Sequence, residues 1–179
     1  MKAIIAGGGT GGHIFPAIAI AAALEKQVPG IELLFVGASG KMEMDKVPAA
    51  GYKIIGLTIA GFNRSNIFKN ITLPFKLIKS FFQVRNILSS FKPDFVVGVG
   101  DIAHKGTLVQ YENATPVLQQ LRKPFYPIMG NEEHGSTETR FLQFASLWNQ
   151  GKGDITHTKY VLEFPEVALV LASPDDGRD

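Results

Sequence analysis

The chain predicts an α/β fold: a three-layer, doubly wound, mainly parallel sheet of Rossmann-like type with an antiparallel edge near the C-terminus. Three observations predict it. Short apolar runs alternate along the 179 residues with longer runs of helical period, the pattern of successive βαβ units. A glycine-rich turn, Ala6-Gly7-Gly8-Gly9-Thr10-Gly11-Gly12, divides the first apolar run from the first helical one. The last two apolar runs, 160–164 and 167–172, lie too close together for a helical crossover, so they are expected to pair antiparallel. Residues 1–179 read as one domain with two halves, 1–97 and 98–179.

Taken in order, strands are expected at 2–6, 32–36, 53–57, 95–99 and 125–129, followed by the closing pair. Their near-continuous apolar character fits parallel strands covered on both faces. Helices are expected at 14–26, 42–49, 74–91, 108–121 and 137–148. Thr107 with Gln110 has the spacing of a capping box at the start of the fourth helix. The helix at 74–91 carries two apolar stripes. Leu77, Phe81, Val84, Leu88 and Phe91 form one, suited to packing on the sheet. Phe75, Ile78 and Phe82 form the other, roughly 140° away, with Lys79 and Arg85 beside it. A second stripe cannot face the same sheet. It packs under a neighbouring loop, or meets a membrane or partner with its cations on lipid phosphates.

Composition narrows the classes. Hydrophobic residues at 45% and charged residues at 19% indicate a folded protein. The absence of cysteine excludes disulfides and thiolate metal sites and suits a reducing cytoplasm. No stretch of about 18 uncharged apolar residues is present, so no transmembrane segment is expected, and the N-terminus is unlike a signal peptide. Net charge is +2, unevenly spread: −1 over residues 1–45, +8 over 46–93 and −5 over 94–179. The basic block suits anionic lipid or phosphate, and nucleic acid is not expected as a partner.

The glycine turn carries the most pointed chemistry. Glycine allows φ > 0 and lets backbone approach a ligand closely. The free N–H groups at the following helix start favour an anion such as phosphate. The spacing Gly7-x-Gly9-x-x-Gly12 matches a dinucleotide fingerprint, but Val36-Gly37-Ala38-Ser39 stands where the acidic ribose ligand belongs. A nicotinamide cofactor is therefore not expected.

Gly8-Gly9-Thr10-Gly11-Gly12-His13-Ile14-Phe15-Pro16, then Phe35-Val36-Gly37, Met42-Glu43, Val47-Pro48 and Lys92-Pro93-Asp94-Phe95-Val96-Val97-Gly98 closely resemble one family over roughly residues 1–100. It is the bacterial peptidoglycan glycosyltransferase family that moves N-acetylglucosamine from its UDP sugar to a lipid-linked muramyl-pentapeptide acceptor. The resemblance implies the acceptor-binding domain of a two-domain GT-B enzyme, peripheral to the inner face of the membrane. By that resemblance Gly9, Thr10, Gly11 and Gly12 would cradle the acceptor diphosphate. His13 would lie near the acceptor hydroxyl as a catalytic base or orienting group. Phe75, Ile78, Lys79 and Phe82 would face the bilayer. The family's second glycine loop, Gly-Gly-Tyr and a small residue, is replaced here by Asp101-Ile102-Ala103. No donor-sugar domain fits in the rest of the chain, and UDP-N-acetylglucosamine is expected not to bind.

A second resemblance begins near residue 94. Val99-Gly100-Asp101-Ile102-Ala103-His104 and Pro127-Ile128-Met129-Gly130-Asn131-Glu132-Glu133 resemble the calcineurin-like metallophosphoesterases. Asp101 and Asn131 hold two of that family's metal-ligand positions, which implies a divalent metal such as Mn or Mg. The other ligands are missing. The two resemblances together imply a chimera, engineered or recombined, with its seam near 95–101. The expected function is a folded scaffold without cofactor or efficient catalysis that retains a phosphate-binding turn. The rival readings are the lipid-diphosphate acceptor part of an N-acetylglucosaminyltransferase and a metal-dependent phosphoesterase.

Overall fold

The computed structural model describes residues 1–8, 11–59, 72–135, 137–152, 155–164 and 167–172. Its main sheet has five parallel strands in the order β3-β2-β1-β4-β5. These are β1 Lys2–Ala6, β2 Glu32–Ala38, β3 Ile54–Leu57, β4 Phe95–Val99 and β5 Phe125–Ile128. Around them lie α1 Gly11–Gln27, α2 Glu43–Ala49, α3 Leu73–Phe91, α4 Leu108–Gln119 and α5 Glu138–Trp148. The expected antiparallel pair, β6 Lys159–Phe164 and β7 Val167–Ala172, forms its own two-stranded sheet beside the five-stranded ladder.

Every residue of β4 and of β5 is buried, so both strands read as unbroken apolar runs. In β6 burial alternates, with Tyr160 and Leu162 inward and Val161 outward. Phe164 stacks on Phe95 with centroids 4.8 Å apart, and Tyr160 Oη donates to the Pro127 carbonyl at 2.6 Å. The hairpin is thereby fastened to β4 and β5. On α1 the buried residues are Ile14, Ala17, Ala21 and Leu24, a single stripe at helical spacing. On α5 they are Phe141, Phe144, Ala145 and Trp148, and the Thr137 side chain caps the helix by accepting from the Arg140 N–H.

Two local expectations are corrected. Thr107 stands at the α4 N-cap, but its side chain makes no capping bond; backbone bonds from Gln110 and Tyr111 to the Thr107 carbonyl close that turn instead. On α3, Leu77 and Phe81 do not pack on the sheet. They are exposed along with Phe75, Ile78 and Phe82, each between 51% and 73%. Only Ile87 is buried, with Leu88 and Phe91 packed against the core. The C-terminal end of α3 therefore makes the contact, and its N-terminal half carries its apolar residues outward.

Burial raises the hydroxyls of Tyr160, Tyr111 and Tyr126 above their ordinary value of 10.0. The native state then keeps protons that the unfolded chain releases, so stability is unaffected below pH ~10 and falls as pH rises beyond it. The urea midpoint should be level up to that point and drop steeply toward pH ~11, with a smaller drop in Tyr160→Phe. A level midpoint throughout, or no difference in the variant, would contradict this assignment.

Candidate functional site

The chain leaves β3 at one edge of the sheet, passes through α3 and re-enters at β4 beside β1. The strand order reverses there, at the carboxyl ends of β1 and β4, which is where open α/β sheets bind their ligands. The glycine turn follows β1, and residues 100–106 follow β4. The two ends touch closely: a Cβ on Gly7 would lie 3.0 Å from Val99 Cβ.

Gly11, Gly12 and His13 form the first turn of α1, three residues earlier than the expected helix start. That helix runs 17 residues with no acidic residue in its first turn, so no side chain of that turn offsets its positive end. Gly9 and Thr10 lie outside the described residues. Gly7, Gly8 and Gly12 are not among the described glycines with positive φ. Close approach, not left-handed backbone, is what demands glycine here. A side chain on Gly8 would run into Glu43, and one on Gly37 would come within 2.6 Å of the Glu43 Cγ.

His13 meets Asp101, with Nε2 3.1 Å from Oδ2 and side-chain exposures of 12% and 29%. Asp101 has φ 52°, and Gly100 before it has φ 70°. A Cβ on Gly100 would stand 2.7 Å from His13 Cδ2, so glycine at this position admits the imidazole. The other Asp101 oxygen, Oδ1, accepts the Glu132 N–H at 3.0 Å.

Asp101 and Asn131 are the two positions expected to be vestigial metal ligands. Both Asp101 oxygens are engaged, by His13 and by backbone, and Asn131 is exposed. Among the described residues no group of three or more His, Asp or Glu side chains is disposed to hold a metal ion. The short Gly-Asp and Gly-Asn motifs stand just after strand ends, and the Asp101 side chain is turned to His13 and the Glu132 N–H.

Two buried carboxylates escaped the sequence reading as functional residues. Glu43, at the start of α2, accepts the Ala38 N–H at 2.9 Å and lies between the ends of β1 and β2. Glu133 is fully buried. Its Oε2 accepts from Asp101 N–H at 2.9 Å and Gly130 N–H at 2.8 Å, and its Oε1 accepts from Ala103 N–H at 2.6 Å. The signal for Glu43 was the pair of glycines, Gly8 and Gly37, that make room for it. Nothing local distinguishes Glu133 from a solvated acid beside Glu132.

The α3 residues Phe75, Ile78, Lys79 and Phe82 are all exposed. No helix among the described residues is long and apolar enough to cross a membrane.

The family model for the glycosyltransferase family 28 N-terminal domain matches residues 3–115. A UDP-N-acetylglucosamine–N-acetylmuramyl-(pentapeptide) pyrophosphoryl-undecaprenol N-acetylglucosamine transferase of Phocaeicola vulgatus is 56% identical over 108 residues, 60% of this chain and 29% of that protein. The transferase of the same name from Cytophaga hutchinsonii is 53% identical over 122 residues, 68% of this chain and 33% of its own length. The chain thus spans about a third of the curated relatives it matches. Among solved structures, Acinetobacter baumannii MurG aligns with a TM-score of 0.53 at 23% identity, covering 72% of this chain and 34% of that one. A UDP-GlcNAc 2-epimerase from Neisseria meningitidis aligns with a TM-score of 0.51 at 19% identity, covering 84% and 39%. The family match runs unbroken through 95–101, where the sequence placed a seam, and so does not support a chimera joined there.

Proposed function

Because the chain belongs to the glycosyltransferase family 28 N-terminal domain family, we propose that it binds the lipid-linked diphosphate acceptor of an N-acetylglucosamine transferase. The observation that carries this reading is the meeting of the α1 N-terminus with the His13–Asp101 pair at the carboxyl ends of β1 and β4, with all of these residues inside the matched stretch. The names of its relatives include such an acceptor, a pyrophosphoryl-undecaprenol. Acceptor binding accounts for more of the site than does a scaffold without a ligand.

In this reading the first-turn amides of α1 receive the diphosphate, whose charge the helix end favours. His13, held by Asp101, orients the acceptor hydroxyl or takes its proton. The outward apolar residues of α3 enter the lipid interface while Lys76, Lys79 and Arg85 meet its phosphates, each cation adding about 1 kcal/mol near an anionic surface. The chain would then act at the membrane surface without crossing it. A phosphoesterase has no comparable support, since Asp101 serves His13 and the backbone.

Sedimentation with vesicles, with and without undecaprenyl diphosphate, tests both parts. Phe75→Ser with Phe82→Ser should weaken binding to plain anionic vesicles roughly 100-fold, from the apolar area kept in water. His13→Ala should leave plain-vesicle binding intact and largely keep the extra affinity conferred by the diphosphate lipid, which the first-turn amides receive. Wild-type protein that prefers neither vesicle to buffer would sink the proposal.

A further inference from the structure

Glu133 lies outside the residues matched by the family, 3–115, yet its carboxylate is the point where the loops after β4 and β5 are tied. Three backbone N–H groups, from Asp101, Ala103 and Gly130, converge on its two oxygens at 2.6–2.9 Å. A carboxylate receiving three amides acts as an internal anion, and such charge-assisted bonds are short and directional. The amide of Asp101 is thereby pinned while its residue holds φ 52°, a conformation non-glycine residues seldom keep without outside constraint. The same stretch supplies a second tie, since Asp101 Oδ1 accepts the Glu132 N–H, and a third, since Glu132 Oε2 accepts the Lys105 N–H at 2.8 Å. With Oδ1 turned to Glu132, Oδ2 is left aimed at His13 Nε2, 3.1 Å away.

We propose that Glu133 is a positioning residue for the acceptor site: by fixing the Asp101 turn it sets the orientation of His13, linking the segment after β5 to the carboxyl ends of β1 and β4. The consequence for acceptor binding rests on the function proposed above; the linkage itself does not. Replacing the carboxylate frees the Asp101 turn, and the Asp101–His13 bond is lost with it. Asp101 acts on His13 directly, and Glu133 acts only through Asp101.

The test follows the His13 Nε2–H proton in full-length protein carrying ¹⁵N-labelled histidine, its signal assigned by its disappearance in His13→Gln. Wild-type protein should show a downfield, slowly exchanging signal. Asp101→Asn should shift or abolish it. Glu133→Gln and Glu133→Ala should do the same, and adding Glu133→Gln to Asp101→Asn should cause no further change. Acetate should restore the signal in Glu133→Ala by occupying the vacated amides. Glu133→Gln keeps the side-chain shape and serves should the alanine variant fail to fold. A folded Glu133→Gln with an unaltered His13 signal would overturn the proposal, as would simple addition of the two effects. Loss of lipid binding alone, with this coupling intact, would count against the acceptor reading instead.

Discussion

Trp148→Ala should lower the stability of the fold by about 3–5 kcal/mol, the range for truncating a large buried aromatic. Trp148 is fully buried, with Tyr111, Phe125 and Phe144 at ring-centroid distances of 5.9, 6.1 and 6.2 Å. Its indole N–H donates to Thr115 Oγ1 at 2.9 Å, so α5, α4 and β5 all meet at this one ring. Truncation leaves a cavity that three separate elements would have to move to fill, which rigid packing resists. Urea unfolding followed by far-ultraviolet circular dichroism measures it, since the variant has no tryptophan to report. Trp148→Phe should cost appreciably less. A loss below about 1 kcal/mol for the alanine variant would show that this cluster is not the packing centre inferred here.

Glu133→Ala is the second large effect, expected at about 3–5 kcal/mol, as for a buried charge-assisted cluster broken on one side. The cost arises less from the lost bonds than from the amides left behind. Asp101, Ala103 and Gly130 would each keep an N–H aimed at a void, and an unsatisfied buried donor costs about 1–3 kcal/mol. Glu133→Gln retains the volume but turns an NH₂ toward at least one of these donors, so it should recover only part of the loss. The same unfolding measurement decides it. Equal stability of wild type and alanine variant would mean that water satisfies the three amides as well as the carboxylate does.

The strands were legible because burial in a parallel sheet writes itself locally. Phe95-Val96-Val97-Gly98-Val99 is apolar without interruption, and all five residues are buried. The stripe Ile14, Ala17, Ala21 and Leu24 likewise repeats at the helical period and faces inward. The outer stripe of α3 was legible for the same reason. Leu77 and Phe81 were misplaced because periodicity reports where residues lie around a helix axis, and not how far along that axis the neighbouring sheet extends.

The site was legible only in part. His13 and the glycine turn announce themselves in a contiguous string. Asp101 stands in a two-residue motif, which carries no information about where a side chain points. Its direction is decided by a left-handed φ and by a carboxylate 32 positions away in sequence.

The amino-acid sequence alone determined the order and type of the elements and the parallel sheet. These follow from periodicity and short-range backbone preference, which act within a few residues. Only the tertiary structure decided that Asp101 serves His13, that Glu133 and Glu43 brace the strand ends, and that α3 turns its front half outward. Those outcomes depend on which distant amides and rings a side chain meets once the strands are ordered β3-β2-β1-β4-β5, and no local pattern encodes that meeting.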